Sequence, residues 1–96
     1  MNKKQELKKQ IQTVINILEK EYSQEINQGV LELIYRRYKN AQRIMQANDD
    51  LQKVFIIGGV RAYLDSHNDY LNPFLDELHK AESLLKELLY LLYSDR

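Results

Sequence analysis

The sequence contains no cysteine and no tryptophan, and only one proline and three glycines among its 96 residues. The absence of cysteine excludes disulfides, thiol catalysis and thiolate metal sites, and it fits a reducing compartment. A low content of glycine and proline, together with abundant Leu, Lys, Glu and Gln, is typical of a helical protein. Lys plus Arg and Asp plus Glu number 14 each, so the overall charge does not favour non-specific nucleic-acid binding.

Long hydrophobic runs are also missing. The apolar run Val54–Val60 is far shorter than the roughly 20 apolar residues that cross a bilayer, and the run Leu84–Tyr93 is interrupted by Lys86 and Glu87. The N-terminus has no apolar core or small-residue cleavage site that would mark a signal peptide. We therefore expect a cytoplasmic protein without membrane insertion, folded as a single helical domain over residues 1–96.

Three long segments carry apolar residues at three- and four-residue steps, and this spacing predicts amphipathic helices over about 3–22, 28–47 and 72–93. Gly29 is the expected break between the first two helices, and residues 23–28 form either a turn or a continuation of the first. The last helix has the clearest start signal, because Asn72 can cap it and Pro73 suits its first position. Its predicted core seam follows a heptad pattern through Phe74, Leu78, Ala81, Leu85, Leu88 and Leu92.

The segment from about Asp50 to Tyr70 is predicted to be one central helix, because its first half is apolar nearly all round. In such a helix one line of residues begins apolar, becomes small and ends acidic. That line contains Leu51, Phe55, Gly58, Ala62, Asp65 and Asp69. Four helices joined by short turns predict an all-α fold, a four-helix bundle of up-down or closely related topology.

The two adjacent glycines leave alternatives open. Gly58 and Ala62 would form a small-residue notch for a neighbouring backbone, whereas a kink or hinge at Gly58-Gly59 is the other interpretation. Val54–Ile57 also resembles a strand that turns at the glycines, as in a nucleotide-binding unit. That interpretation requires a G-x-G-x-x-G spacing and further strands, and the sequence has neither.

Arg37 lies inside the apolar arc of the second predicted helix, where an unpaired guanidinium is costly. We therefore predict a structural ion pair between Arg37 and either Asp65 or Asp69. Two alternatives are a polar pocket that binds a partner group and an Arg37 side chain that reaches solvent along its stem.

Two surfaces are candidates for recognition. The junction Arg61–Phe74 concentrates polar and aromatic residues, and its predicted partner-binding residues are Arg61, Tyr63, Asp65, His67, Asp69, Tyr70 and Asn72. The last helix has more apolar residues than a small core can cover, which is typical of an interface. Its predicted self-association residues are Leu84, Leu88, Tyr90, Leu91, Leu92 and Tyr93. The alternative is that the first helix covers this seam within the monomer.

A third surface is basic. Arg36, Lys39 and Arg43 share one face of the second helix with Tyr35 at its edge, a pattern that can track a nucleic-acid backbone or another anionic surface. The basic N-terminus would extend this face if it lies nearby, through Lys3, Lys4, Lys8 and Lys9. On a chain with balanced charge, a solvated face is the more ordinary explanation.

No set of residues indicates a metal, a cofactor or a reaction. Asp76, His79 and Glu82 follow one another at three-residue steps, but helical metal sites need further carboxylate and histidine ligands, so we interpret them as a solvated face. Ser, Thr and the two histidines form no recognisable nucleophile–base pair. We therefore expect no metal, no cofactor and no enzymatic activity.

The function that fits these observations is a small cytoplasmic protein-interaction or regulatory module that forms a homodimer through its last helix. A second hypothesis is a helical regulator that binds nucleic acid or an anionic surface through the basic face. A third is an immunity-type helical bundle that neutralises a toxin, which is an analogy at the level of architecture.

Overall fold

Three long helices and one short helix make up the part of the chain that the computed structural model describes, residues 2–67 and 70–93. They are α1 (Lys3–Glu21), α2 (Gly29–Gln46), α3 (Gly59–Ser66) and α4 (Pro73–Tyr93), with a short 3₁₀ turn at Leu51–Lys53 between α2 and α3. The prediction of an all-α helical bundle is confirmed. None of the described helices combines the length and apolar character needed to span a bilayer.

The first helix begins and ends where local signals favour it. The Asn2 side chain accepts the Gln5 amide at 2.8 Å and so satisfies one of the unpaired donors of the first turn. α1 ends at Glu21, and residues 23–28 form a turn before α2 begins at Gly29, which has a φ of +70°. The expected break at Gly29 is confirmed, and the open choice for residues 23–28 is resolved in favour of a turn.

α1 lies between α2 and α4 and runs antiparallel to both. Its buried Gln10 side chain donates to the backbone carbonyl of Glu77 at 3.0 Å, and Lys3 pairs with Glu87 at 3.0 Å further along α4. On the other side, the Tyr35 hydroxyl of α2 donates to Glu19 at 2.6 Å. The core seam of α1 is fully buried and consists of Leu7, Ile11, Val14, Ile15 and Leu18.

The prediction of one central helix over residues 50–70 is wrong. After the 3₁₀ turn the chain is non-helical from Val54 to Gly58, and α3 begins only at Gly59. Val54 and Ile56 are buried, whereas Phe55 between them is 59% exposed. This is the alternation of an extended chain, and the β-branched run followed by glycine disfavours a helix.

Gly58 does not form a packing notch, because it lies outside the helix. Its φ is +103°, a backbone conformation that residues other than glycine rarely adopt. Apart from its two chain neighbours, no residue has an atom within 4 Å of the position that a Cβ would occupy. Gly58 instead lies where the extended stretch turns into the start of α3, so a kink within a continuous helix is not observed either. The strand interpretation of Val54–Ile57 is also wrong, since the residues that the structure describes contain no strand.

α3 is stabilised at its N-terminus by a side chain from another helix. Glu82 of α4 is buried and accepts the amide of Val60 at 2.9 Å and that of Gly58 at 3.3 Å. Glycine at positions 58 and 59 provides no capping side chain, so Glu82 satisfies donors that the local sequence leaves unpaired. Our interpretation of Glu82 as part of a solvated face is wrong.

The start of α4 agrees with the prediction. The Asn72 carboxamide oxygen accepts the Phe74 amide at 2.9 Å, and Pro73 is the first helical residue. The Asn72 side-chain nitrogen donates to the hydroxyls of Tyr22 at 2.9 Å and Tyr63 at 3.0 Å. One residue therefore caps α4 and joins it to α3 and to the end of α1.

Candidate functional site

A groove of about 760 Å³ runs along the outer face of α2. Its lining residues are Leu33, Arg36, Arg37, Lys39, Asn40, Gln42, Arg43, Gln46 and Phe55. We call this surface the α2 groove. From Leu33 to Gln46 it extends roughly 20 Å at the helical rise of 1.5 Å per residue.

The partner of Arg37 is an aromatic ring. The Arg37 guanidinium carbon lies 4.1 Å from the ring centroid of Phe55, within the range of a cation–π interaction. Within residues 2–67 and 70–93 no carboxylate lies within 4 Å of Arg37. The predicted ion pair with Asp65 is therefore wrong, because the break before α3 turns Phe55 outward while Asp65 is exposed on α3. The other predicted partner, Asp69, lies outside the described residues.

The α2 groove concentrates positive charge. Four of its lining residues are Arg or Lys, and none of the nine is Asp or Glu. Arg36 pairs with Glu32 at 3.4 Å, and Arg43 donates to the side-chain oxygen of Asn40. In the described part of the chain, Arg37, Lys39 and Arg43 form no ion pair. The groove therefore presents three cations without a carboxylate counter-charge.

The predicted extensions of the basic face do not join it. Tyr35 is tied to α1 through its bond to Glu19, which together with the loss of solvent contact and the Glu19 charge raises the pKa of Tyr35. Lys3 pairs with Glu87, and Lys4 donates to Asn48. None of the N-terminal lysines that the sequence suggested (Lys3, Lys4, Lys8 and Lys9) lines the α2 groove.

The end of α4 presents an apolar surface. Tyr90, Leu91 and Leu92 are 70%, 58% and 53% exposed, and we call these three residues the C-terminal apolar surface. Because Lys3 lies opposite Glu87 in the antiparallel pair, the last turn of α4 extends past the start of α1. The idea that α1 covers this part of the seam is wrong.

The other residues predicted for self-association contribute less. Leu88 is buried in the core, so its assignment to an interface is wrong, and Leu84 is half-buried at the margin. The Tyr93 hydroxyl donates to Asp50 at 3.3 Å, which attaches the end of α4 to the chain that follows α2. A shallow groove of about 440 Å³ lies beside Tyr90 and Leu91. Its other lining residues are Lys3, Lys86 and Glu87.

The predicted recognition region Arg61–Phe74 is partly a structural joint. Tyr63 is buried, stacks on His67 with a centroid distance of 4.5 Å and meets Phe74 edge-on at 5.9 Å. Tyr63 therefore presents no exposed surface, and the prediction that it contacts a partner is wrong. Asn72 is half-buried and bonded to two tyrosine hydroxyls. The rings of Tyr63 and Phe74 face inward and pack α3 against α4.

The remaining residues of this region lie outside that joint. Arg61, Asp65 and Tyr70 are exposed, and their role in partner binding stays a prediction. Asp69 lies outside the described residues. Leu71, which the sequence analysis did not single out, is 94% exposed between α3 and α4.

Tyr38 and Glu82 are two buried polar residues of the core, close enough for the charge of one to affect the other. Tyr38 is fully buried, and its hydroxyl has no hydrogen-bond partner among the residues described. Burial, and secondarily the nearby Glu82 charge, raise the pKa of Tyr38 far above its ordinary value. Across the described chain no group of three or more His, Asp or Glu side chains is arranged to hold a metal ion. The Glu82 oxygens are instead bonded to backbone amides of the α3 start.

Two residues that shape these sites were missed from the sequence, and both left a signal. Glu82 follows Leu78 by four residues and precedes Leu85 by three, which places it inside the core arc of α4. Phe55 lies in a run with three β-branched residues, Val54, Ile56 and Ile57, that ends at two glycines, and such a run disfavours a helix. This was the signal for the extended segment that turns Phe55 outward.

Comparison with known proteins gives a family and one relative of similar length. The family described as YeeD uncharacterised protein matches residues 1–90 of the chain. A protein of Bacillus subtilis (strain 168) with the name "Uncharacterized protein YeeD" is 41% identical over 95 residues, which covers 91% of this chain and 93% of the relative. No solved structure matches the chain.

Proposed function

The chain belongs to the YeeD family, and we propose that it is a small, non-catalytic protein-interaction module that forms a weak homodimer through the C-terminal apolar surface. The observation that supports this proposal is the exposure of Tyr90, Leu91 and Leu92, which are spread around the last turn of α4. Contiguous exposed apolar side chains favour an interface, whereas isolated ones are ordinary.

The occupant that we propose is a second copy of the chain. Leu92 follows Leu88 and Leu85 in the same seam that packs inside the monomer, so the surface is the uncovered end of the chain's own core. In an isologous contact the last turn of α4 from each copy covers the other, and the same residues meet across a twofold axis. This arrangement removes both exposed ends from water at once.

The size of the surface indicates a weak dimer. The three side chains expose roughly 300–400 Å² in total, mostly apolar, whereas a stable interface buries about 800 Å² on each partner. We therefore expect a dissociation constant on the order of 100 μM, which corresponds to roughly 5–6 kcal/mol. The proposed dimer forms at high local concentration and dissociates on dilution.

Sedimentation velocity over about two decades of concentration, up to roughly 1 mM, tests this proposal. The wild-type chain is expected to shift from monomer to dimer, and Leu91→Glu is expected to remain a monomer because the substitution places a charge in the interface. Leu71→Glu is the matched control, since Leu71 is 94% exposed and lies at the α3–α4 junction. A wild-type chain that stays monomeric throughout, or a control that dissociates as readily as Leu91→Glu, overturns the proposal.

The absence of catalysis is part of the same proposal. The two histidines lie on different elements, with His67 stacked on Tyr63 and His79 exposed on α4. The residues that line the α2 groove include no His, Asp or Glu, so the groove offers no general base to activate a nucleophile. We also propose a cytoplasmic location and a regulatory role, and imaging of a fluorescent fusion in the native host tests the location.

A further inference from the structure

The geometry of the α2 groove points to a binding site for an acidic, amphipathic segment of a partner protein. This surface is separate from the C-terminal apolar surface, because the two share no residue. The inference therefore goes beyond self-association and can stand or fall independently of it. Three features of the groove support it: its charge, its apolar side chains and its length.

The charge of the groove favours a negative ligand. Arg37, Lys39 and Arg43 have no carboxylate partner in the described part of the chain, although the protein as a whole has as many acidic as basic residues. Cations on a chain of balanced charge can find intramolecular partners, as Arg36 does with Glu32 at 3.4 Å. Two of the three unpaired cations are arginines, whose planar fork can bind a carboxylate through two parallel hydrogen bonds.

The apolar side chains of the groove favour a ligand that carries apolar groups as well as negative charge. Phe55 is 59% exposed in the middle of a run of otherwise buried or half-buried residues, and Leu33 is partly exposed on α2. Burying a Phe side chain contributes about 1.5–3 kcal/mol, so its exposure is costly unless another molecule covers it. The Arg37 guanidinium lies over one face of the Phe55 ring, which leaves the rest of the ring for contact with an apolar side chain.

The length and spacing of the groove suit a peptide. Arg36, Asn40 and Arg43 recur at steps of four and three along α2, so their side chains form one stripe on the helix surface. The stripe is roughly 10 Å long, and the whole groove from Leu33 to Gln46 is roughly 20 Å long, equal to three to four turns of a second helix. An amphipathic helix with Asp or Glu on one edge and Leu or Phe beside it matches both the cations and the apolar floor.

A nucleic acid fits these features less well. Binding of single strands relies on several aromatic platforms that stack successive bases, whereas Phe55 is the one aromatic residue among the nine that line the groove. Phosphates also gain nothing from the exposed Leu33 and Phe55 side chains. Three unpaired cations neutralise few phosphates, and the balanced charge of the whole chain adds no long-range attraction.

A displayed library of random peptides, each about 16 residues long and ~24 Å as a helix, tests the inference. The full-length Leu91→Glu variant serves as the target, so that the result does not depend on dimer formation. We expect the enriched peptides to combine Asp or Glu with Leu, Ile or Phe. Enrichment of basic or purely apolar peptides, or no enrichment above a blank surface, overturns it.

Charge reversal in the groove then locates the binding site. Arg37→Glu combined with Arg43→Glu is expected to weaken the best peptide by about a hundredfold, or tenfold for each lost charge contact. The matched control is Lys20→Glu with Lys80→Glu, which makes the same change of charge on the exposed surfaces of α1 and α4. The control is expected to change the affinity less than about threefold. Equal losses in the two variants overturn the assignment of the site to the α2 groove.

Phe55→Ser separates a mixed acidic and apolar ligand from a purely electrostatic one. Because Phe55 is exposed, the variant is expected to fold normally, with an unchanged circular dichroism spectrum, and to bind the peptide about tenfold more weakly. Unchanged peptide affinity in the folded variant contradicts the role of the apolar floor. Fluorescence anisotropy with labelled single-stranded and duplex DNA completes the test. Tighter binding of either DNA than of the best peptide, lost in the groove variant, overturns the peptide inference in favour of nucleic acid.

Discussion

The three long helices and the segment Leu51–Ser66 are held in place in different ways. α1, α2 and α4 carry continuous apolar seams and, in α1 and α4, an asparagine cap next to the first helical residue. The segment Leu51–Ser66 has a 3₁₀ turn, an extended stretch and a helix of eight residues. Its short helix depends on the Glu82 carboxylate, which comes from α4 more than twenty residues later in the sequence.

The three long helices therefore form the scaffold, and the segment Leu51–Ser66 is attached to it. Local periodicity and caps determine the long helices, because neighbouring residues in sequence provide the stabilising contacts. The segment Leu51–Ser66 depends on contacts of long sequence separation, and one of them brings Phe55 to Arg37 in the α2 groove. We expect variants in the long helices to affect the whole fold and variants at the Glu82 contact to affect mainly this segment.

The largest effect is expected from Leu78→Ala. Leu78 is fully buried in the α4 seam, and its truncation is expected to reduce the free energy of unfolding by about 3–4 kcal/mol through lost burial and the cavity that remains. Urea denaturation followed by circular dichroism measures this loss. Leu71→Ala, on an exposed residue, is the control and is expected to change stability by less than about 0.5 kcal/mol. Similar losses at the two sites would show that the α4 seam is not the scaffold.

Glu82→Ala is expected to lower the free energy of unfolding by about 2–3 kcal/mol. The substitution removes two hydrogen bonds to the carboxylate and leaves the amides of Gly58 and Val60 without their acceptor. Amide chemical shifts measured by NMR are expected to change at Gly58 and Val60, while those of α1 residues such as Leu18 change little. Glu87→Ala is the control, since Glu87 forms an exposed ion pair with Lys3 that solvent screens. Shift changes spread evenly over all helices would contradict the local role of Glu82.

Gly58→Ala is expected to destabilise the protein by about 1–2 kcal/mol. The cause is backbone strain alone, since φ is +103° and a Cβ would meet no atom within 4 Å. At Gly59 the expected cause is a steric contact and not backbone strain, because an added Cβ would lie 3.3 Å from the Glu82 carboxylate while φ is not positive. Thermal unfolding of both alanine variants compares the two. No loss of stability in Gly58→Ala would contradict the broken segment.

Tyr38→Phe is expected to have the smallest effect near neutral pH, a change of at most about 1 kcal/mol in either direction. At alkaline pH the sign is definite. The raised pKa of Tyr38 means that above pH about 10 the unfolded chain loses a proton that the folded chain retains, so stability falls by about 1.4 kcal/mol per pH unit. Tyr38→Phe is expected to lack this contribution. Parallel stability curves for wild type and variant between pH 8 and about 11 would contradict the burial of an unpaired hydroxyl.

The sequence predicted the fold class, the three long helices and the start of α4 from periodicity and from Asn72-Pro73. It did not predict the break at Gly58, because the apolar character of Val54–Ile57 fits a buried helix and an extended buried chain equally well. For the same reason Arg37 was assigned a carboxylate partner instead of Phe55. A side-chain cap from Glu82 joins elements distant in sequence, and its only trace was an acidic residue inside a core arc.

The residues of the two candidate surfaces were also predicted only in part. The C-terminal apolar surface and the cations of the α2 groove were both singled out, because excess apolar residues and a basic helix face are visible in a helical projection. Leu88 is buried and Leu91 is exposed because α1 starts opposite Glu87 and does not extend further along α4. The position of one helix along another depends on their packing, and the sequence pattern of a single helix does not contain it.

Backbone chemical shifts of residues 51–66, measured by NMR on the isotope-labelled chain, distinguish a broken segment from one continuous helix. We expect extended-type shifts for Val54–Ile57, a left-handed shift pattern at Gly58 and helical shifts from Gly59 to Ser66. Continuous helical shifts from Leu51 to Ser66 would contradict this expectation. In that case Phe55 would not reach Arg37, and both the α2 groove and the Glu82 cap would be absent from the protein in solution.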